Sequence, residues 1–585
     1  VSERPESAPI LLTGSLVFAS VATGVAAWLS LVSGALHAWV AVASVAVGLA
    51  VGVLAGRRTA ATRAEGESAD RKRKDGIAVV GRLGSMTTLE VVALVVFALV
   101  SLRQFGWLLF ERAGTLETLL PYNYGDLPLH WTYIQYLAGG APFWPENPIV
   151  AGERLRYPFG VDLFSALFVV LGVGMRLLLP ALGLGGAVLS AISLRHWGGA
   201  LAVAGFLFSG GLAGFQLLWT GELIDYQATV AWKNLFLALF VPQRGLLLAL
   251  PAGLLLLWSW RQRLLRGEPG LPAWVEGVLW GALPLVHLHT FLLVSLLYAT
   301  WAVGGRRLRE AWASLAWAFV PATWAVWQVS DGFRVASLVG WKLGWTIGDE
   351  NPILFLLVNF GLFLPLALTA LVVAGHERRR EDLLVLSPAL VVFALLFVVR
   401  LAPWEWDNTK VMLWCYLLTL PSIGSLVLSR LGRVGSAVAV VGLLFSGSVS
   451  VTAASLGGGP RLDVLSIREY ESVCEALVSR PPTERVAVAP TFNHPVALCG
   501  QPVVAGYGGH LWSHGIEASR VQLGLKTLMR GDPGWLDAAR AVDARLVFWG
   551  GREQAAFPAS IRPWEAGPEP LASGPWGSLY ELALD

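Results

Sequence analysis

Apolar residues in this chain do not alternate with polar ones. They fill stretches of about twenty residues with almost no charge, separated by short polar breaks. A bilayer core about 30 Å thick takes roughly 20 such residues as a helix. The pattern predicts thirteen spans, near 10–33, 36–55, 87–110, 173–194, 198–218, 243–260, 272–287, 289–304, 311–328, 352–374, 383–400, 411–428 and 434–454. The stretch 159–172 (FGVDLFSALFVVLG) predicts a re-entrant or interfacial helix instead. After about 455 the chain changes character. β-Branched runs at Val486–Ala489 and Leu546–Trp549 sit among amphipathic stretches and turn residues, which predicts a small α/β domain.

The fold class expected is therefore an α-helical polytopic membrane protein with a small extracytoplasmic C-terminal α/β domain. Residues 1–86 hold two spans and a basic loop, 87–454 the main bundle with a long loop at 111–172, and 455–585 the tail domain. The first apolar run follows Arg4 but runs long and lacks a small-residue cleavage pattern, so it reads as a span rather than a cleaved leader.

Basic residues set the sidedness. With the N-terminus inside, the inner loops carry Arg57, Arg58, Arg63, Arg71, Lys72, Arg73, Lys74 and Arg82, then Arg195, then Arg261, Arg263 and Arg266. Further along they carry Arg306, Arg307 and Arg309, then Arg378, Arg379 and Arg380, then Arg430 and Arg433. Short cytoplasmic loops are the ones enriched in Lys and Arg. Counting 159–172 as a full crossing would put most of these clusters outside. The irregular segments 111–172, 219–242, 329–351 and 401–410 then face outward with the tail, and they are rich in Trp, Tyr, Pro, Gly and acids.

Composition agrees. Of 585 residues, 55% are hydrophobic and 14% charged, with a mean hydropathy of +0.60, against about 25% charged in an average soluble protein. Disordered, collagen-like, disulfide-scaffold and nucleic-acid-binding classes are excluded as the main reading. The net charge of +3 informs only once mapped onto sides. Three cysteines are too few for a zinc cluster. Cys415 lies in an apolar run. Cys474 and Cys499 lie in the tail, where an oxidising compartment permits a disulfide that spacing alone does not decide.

The outer loops hold the candidate chemistry. Asp126 follows Tyr-Asn-Tyr-Gly and precedes His130, Tyr133 and Tyr136. Partial desolvation would make it a stronger base, and Asp before Leu-Pro is equally a good helix cap; local chemistry leaves both open. Arg154 and Arg156 in GERLRYPFG are basic on a face otherwise poor in Arg. A phosphate explains them, and so does pairing with Glu146, Glu153 or Asp162. Lys233 and Arg244 follow the same logic, with Arg244 at a span's start and suited to snorkelling. His287 and His289 flank an outer turn, where histidine is costly unless it faces a polar cavity; bundle hydrogen bonds, a phosphate contact or a metal are the alternatives. Lys342, Asp349 and Glu350 occupy GWKLGWTIGDENP, and Arg400, Trp404, Glu405, Trp406, Asp407, Asn408 and Lys410 the last outer loop. An aromatic belt explains the Trp residues but not Lys410 at the mouth of a span, where a lipid phosphate would be neutralised.

Several stretches resemble a bacterial branch of the GT-C superfamily, the membrane glycosyltransferases that draw sugars from polyprenyl-phosphate carriers. They are YNYGDLPLH with RLRYPFGVDLFSAL, HLHTF before an apolar run, WDNTKVMLWCYL, and the tail stretch FNHPVALCGQPVVAGYGGHLWSHGIEAS. The resemblance covers roughly residues 87–530. It implies that Asp126 deprotonates an acceptor hydroxyl, which attacks the donor's anomeric carbon opposite the phosphate. It also implies that Arg154, Arg156, Lys342, Arg400 and Lys410 hold that phosphate. Tyr157, His289 and Asp407 join the expected substrate contacts, and in the tail His494, His510, Trp512 and His514 suit sugar contacts, with a packed structural role the alternative for each. Many relatives carry adjacent acids in the first loop, whereas Asp126 stands alone, so no cofactor is assigned and a divalent metal is left open. The partners expected are a polyprenyl-phosphate sugar donor, a glycan, lipid or protein acceptor, and the bilayer of a bacterial inner membrane, with no nucleic acid. Rival readings are a lipid-linked glycan flippase, with Arg103 and Arg176 lining a path, and a glycan ligase or polymerase.

Overall fold

The computed structural model describes residues 10–73, 86–119, 123–334, 338–457 and 461–584, with backbone alone for 61–73 and Tyr124. Lys74 and Arg82 of the basic loop lie outside the described residues. The helices run α1 (Ile10–Ser33), α2 (Ala38–Arg73), α3 (Thr88–Gly106), α4 (Asn123–Ala138), α5 (Gly160–Val170), α6 (Met175–Leu207) and the short α7 (Leu217–Thr220). Then come α8 (Leu246–Trp260), α9 (Ala273–Val286), α10 (Leu288–Gly304), α11 (Leu308–Val329), α12 (Pro352–Phe360), α13 (Phe363–His376), α14 (Arg380–Leu395), α15 (Thr409–Ser422) and α16 (Gly432–Ser455). The tail adds α17 (Ile467–Leu477), α18 (Pro495–Leu498), α19 (Gly508–Ser513) and α20 (Ser519–Arg530). The strands are β1 (Phe110–Arg112), β2 (Thr115–Thr118), β3 (Gly340–Trp341), β4 (Val399–Arg400), β5 (Leu462–Ser466), β6 (Arg485–Ala487), β7 (Ala544–Trp549), β8 (Ala572–Gly574) and β9 (Gly577–Glu581).

Each predicted apolar stretch is helical in whole or part, but thirteen crossings do not follow. Among the described residues six helices are long and apolar enough to cross a membrane, and the pair α12 and α13, bent by 90°, makes a seventh if counted as one span. The fourteen residues of α9 rise only about 21 Å at 1.5 Å per residue. Such a helix is sheltered by its neighbours rather than by its own length. The stretches 173–194 and 198–218 form one element broken at Gly198–Gly199, and it ends at Leu207. Gly199 has φ +60° and ψ −149°, a geometry that essentially only glycine tolerates. The expected re-entrant piece is α5, eleven residues long and too short to span.

Close packing joins the N-terminal pair. A Cβ on Gly52 would meet the Gly14 carbonyl oxygen at 2.6 Å, and one on Gly48 would meet Ala22 and Phe18 at 2.9 Å. Small residues are what let helix backbones approach this closely in lipid. The pair is not peripheral, because α1 also packs on α5, α8 and α9. On other helices large apolar side chains face outward, Trp312 and Val320 of α11 among them, as a lipid-facing surface requires.

The irregular segments interlock at one end. Strand β3 pairs antiparallel with β4, Lys342 reaches Glu405 at 3.4 Å, Trp406 donates to the Ala231 carbonyl at 2.8 Å, and Arg154 pairs with Asp331 at 2.9 Å. The basic loops meet one another instead. Arg261 and Arg266 share Glu381, Arg430 takes Glu377 at 2.6 Å, and Arg380 donates to the Gly304 carbonyl.

The tail is α/β. Its sheet has the order β6-β7-β9-β8, with β6 and β7 parallel and the other pairs antiparallel. Strand β5 departs from this unit and joins β1 and β2 of the first loop in a three-stranded antiparallel sheet. Backbone bonds Val503→Pro148, Ala151→Val504 and Gly506→Ile149, at 2.8–2.9 Å, fasten the tail to the same loop. Buried Arg485 adds bonds to the Asn147 carbonyl and Glu146. Cys474 and Cys499 form a disulfide between α17 and the end of α18, while Cys415 stays a buried thiol. Replacing both paired cysteines with serine is expected to destabilise the tail by about 3 kcal/mol, from the loop of 25 residues that the bond closes. Denaturant melting of purified protein measures this, and non-reducing electrophoresis reports the bond directly.

Candidate functional site

The first loop supplies the centre. Helix α4 starts at Asn123, so Asp126 lies within its first turn and is not its cap; Asn123, Tyr124 and Gly125 are themselves helical. His130 and Tyr133 follow at successive turns of the same helix, on the face that i, i+4 and i+7 share. Gly160 allows α5 to lie against the end of α9, since a Cβ there would meet the Leu285 carbonyl oxygen at 2.7 Å. That approach sets Asp162 beside α4, and its Oδ1 is 2.8 Å from His130 Nδ1 with both side chains buried. Tyr157, just before α5, places its ring 6.0 Å from His130 and 5.5 Å from Tyr133.

Three later segments close around this pair of helices. Asp407 and Lys410 pair at 3.0 Å where α15 begins. The tail contributes His514, whose ring lies 4.9 Å from that of Tyr157, and His510, whose Nε2 lies beside Gly125. His287 is the single extended residue joining α9 to α10. Its Nδ1 accepts from the Thr290 N–H at 3.2 Å, and Trp414 of α15 donates to Thr290 Oγ1 at 3.1 Å. The joint is thereby tied to the helix that carries Lys410.

Electrostatics identify the groups that feel one another. Burial raises the Asp126 carboxyl above the usual carboxylate range. The charges of His130 and Lys410 oppose the shift, and Asp407 adds to it. Burial and Asp162 raise the phenols of Tyr133 and Tyr157, so both remain neutral donors. Burial, with neighbouring His130 and Lys410 among the causes, lowers His514 to about 3. His510 is lowered to about 4, chiefly by burial.

The structure gathers Asp126, Tyr157, His289, Asp407, Lys410 and His514 from the expected set. It directs the others elsewhere. Arg154 is exposed and held by Asp331 and Gln328, and Arg156 is held by Glu153. Lys342 is exposed beside Glu405, and Arg400 and Trp512 are exposed. His494 is buried on Glu553 at 2.9 Å, a carboxylate that also accepts from the Ala489 and Gly550 N–H groups, which is a fold-holding role. Arg103 donates to the Ser455 carbonyl and stacks on Trp107, and Arg176 pairs with exposed Glu111. These two do not line a path through the bundle. His130 and Asp162 are the pair that sequence reasoning did not join; a carboxylate and a histidine on two apolar helices of one loop are the only signal.

The donor set does not fit a metal. Among the described residues no group of three or more His, Cys, Asp or Glu side chains is placed to hold one. Asp162 is engaged by His130, Asp407 by Lys410, and His287 Nδ1 by Thr290.

No family model matches the chain, and no curated protein matches it. Solved structures similar in outline include two of the Archaeoglobus fulgidus oligosaccharyltransferase. The apo form is 12% identical over 79% of this chain and 69% of that one, with a TM-score of 0.41. The complex with Zn and sulfate is 13% identical over 78% and 68%, with a TM-score of 0.38. A likeness of that degree carries no functional argument; what the fold and site define is a multi-helix membrane protein with a polar cleft at one end.

His510 and His514 give the cleft a pH dependence. Folding holds both neutral, whereas the unfolded chain takes up protons below about 6.5. The stability they contribute is complete above that pH and is lost as pH falls toward the folded values of about 4 and about 3. Melting temperature is expected to drop between pH 7.5 and 5, and to drop less in His514→Gln.

Proposed function

We propose that this protein is a membrane glycosyltransferase of the GT-C type, which moves a sugar from a polyprenyl-phosphate donor to an acceptor hydroxyl outside the inner membrane. The observation that carries this reading is the convergence of α4, which bears Asp126, with the buried His130–Asp162 pair and the Asp407–Lys410 pair, groups drawn from segments some 280 positions apart in the chain. A carboxylate of raised proton affinity is a general base, and a cation beside it stabilises a departing phosphate.

The acceptor oxygen forms the new bond to the anomeric carbon as the bond from that carbon to the phosphate oxygen breaks. The acceptor's proton goes to Asp126, and the electron pair leaves with the lipid phosphate toward Lys410. His130, fixed by Asp162, orients the base, and the Tyr157 ring offers a face for a sugar. Stabilising the leaving phosphate is the larger contribution, since general-base help supplies about 10²–10⁴-fold.

Sidedness is part of the proposal. Basic loops that meet at one end support a cytoplasmic location for that end. The disulfide in the tail supports an oxidising compartment for the other. The crowding of polar groups at one end argues against a flippase, which needs them through the full depth of the membrane.

Asp126→Asn is the test, in membranes supplied with labelled polyprenyl-phosphate sugars. Transfer is expected to fall at least about 100-fold; undiminished transfer removes Asp126 from the mechanism. The acid limb of the rate profile should lie above the ordinary carboxylate range. It should move to higher pH in Lys410→Met, which removes an opposing cation, and to lower pH in Asp407→Asn, which removes a like charge.

A further inference from the structure

The two most exposed large apolar side chains among the described residues stand two positions apart at β3: Leu343 is 85% exposed and Trp341 83%. Val339, Trp341 and Leu343 occupy alternate positions, which line one face of an extended chain, and all three are exposed. Lys342 turns to the other face, where it meets Glu405. Arg400 stands opposite Gly340 in the β3/β4 pairing and so shares the face of Lys342; its Nε would lie 3.0 Å from a Cβ on Gly340. The ribbon is apolar on one side and cationic on the other. Segments 338–344 and 397–403 hold Lys342 and Arg400 and no acid, with Asp349 and Glu350 following only beyond Trp345. Lys342 is matched by Glu405, whereas exposed Arg400 has no ion pair among the described residues.

The ribbon is firmly held. The Lys342 N–H donates to the Val398 carbonyl at 2.8 Å and the Gly344 N–H to the Phe397 carbonyl at 2.7 Å, which extends the pairing past β3. Buried Trp345 packs on Phe355, Phe360 and Phe397, and its indole donates to the Glu405 carbonyl at 2.9 Å. The Asn408 side chain accepts from the Leu401 N–H and donates to the Leu396 and Val399 carbonyls, which locks β4 to the segment that carries Asp407. An apolar face on so fixed a support marks a surface that something covers. Continuity with the neighbouring helices says what does. Helix α14 leads into β4 and exposes Val391 and Leu395 along its last turns, and α12, which follows the ribbon, exposes Ile353 and Leu354 at its first. The ribbon therefore sits at the rim of the bundle's outward apolar surface. Tryptophan is the residue enriched at that level of a bilayer, and a guanidinium there reaches the head groups.

We propose that the β3/β4 ribbon is a membrane foot: Trp341 and Leu343 enter the leaflet at the cleft end of the bundle, and Arg400 binds the head-group phosphate of an anionic phospholipid there. Lying flat, the ribbon turns its apolar face to the acyl chains and its cationic face to the phosphates. The partner is a structural lipid of the bilayer and not a sugar donor, so the inference needs no sugar transfer and stands apart from the glycosyltransferase reading. The apolar pair supplies the seat. The unpaired guanidinium supplies the selectivity, since one Arg near a membrane surface favours anionic lipid roughly fivefold.

The test uses the full chain in vesicles of mixed phosphatidylcholine and phosphatidylglycerol, with a fluorophore attached at Leu343→Cys. Cys415 is buried and Cys474 is bonded to Cys499, so the label goes to position 343. Phospholipids bearing a nitroxide high on the acyl chain are expected to quench the label, and aqueous iodide is not. Nitroxide phosphatidylglycerol should be enriched around the label over nitroxide phosphatidylcholine, roughly fivefold at equal mole fraction. Arg400→Gln should bring the two lipids level, and Arg400→Lys should restore most of the difference. Quenching by iodide alone places the ribbon in water, and quenching by neither places it under protein such as a second copy of the chain; either result overturns the proposal. Equal quenching by the two lipids with Arg400 in place overturns the anionic-lipid site. Melting curves verify the fold of each variant, and a label at Trp341→Cys decides if Leu343→Cys fails to fold.

Discussion

Hydrocarbon offers no water to a backbone N–H or C=O, so irregular chain is tolerated only at the ends of a bundle or inside it. That constraint explains why the loops of this protein interlock rather than hang apart. Strand β2 takes β5 from the tail, β3 takes β4, and the indole of Trp406 closes the Ala231 carbonyl. Each contact satisfies a group that lipid cannot. The polar cleft forms where these segments converge, with Asp126 from α4, Asp162 from α5, His287 from the α9/α10 joint, Lys410 from α15 and His514 from the tail.

Convergence brings charges that must neutralise one another. Asp162 is matched by His130 and Asp407 by Lys410, and pairs of this kind seldom stabilise a fold, because desolvating both ions offsets their attraction. What they set is the state of Asp126. Burial lifts its proton affinity, while Lys410 and His130 hold the rise back. Lys410 therefore acts on two carboxylates, its own partner Asp407 and Asp126.

Apolar stretches, the basic loops and the tail strands were legible because each is a property of local sequence. The strands expected at Val486–Ala489 and Leu546–Trp549 became β6 and β7, parallel neighbours. Asp126 and Lys410 could be singled out for standing where their loops meet the membrane. Pairing was not legible. Nothing in GERLRYPFG decides between a phosphate and the carboxylates that hold Arg154 and Arg156, since Asp331 lies 177 positions from Arg154. Span counts meet the same limit. Apolarity says that a stretch avoids water, while whether lipid or protein surrounds it depends on neighbours, as the short α9 shows.

Arg244 makes the same point in reverse. By sequence it is a cation at a span's start, suited to reach head groups along its own stem. In the structure it is enclosed, and the exposed arginines of the first loop already have partners. Residue type and position rank cations by how easily water or lipid reaches them. Whether folding buries a cation's donors without satisfying them is decided instead by neighbours far along the chain. The N-terminal hairpin belongs to the same construction: Phe143 of the first loop donates to the Gly34 carbonyl at the turn between α1 and α2, and Phe18 of α1 meets Phe164 of α5 edge-on at 5.6 Å. The pair is thereby held to both the loop and the helix that positions Asp162, and α1 packs on α8 and α9 as well.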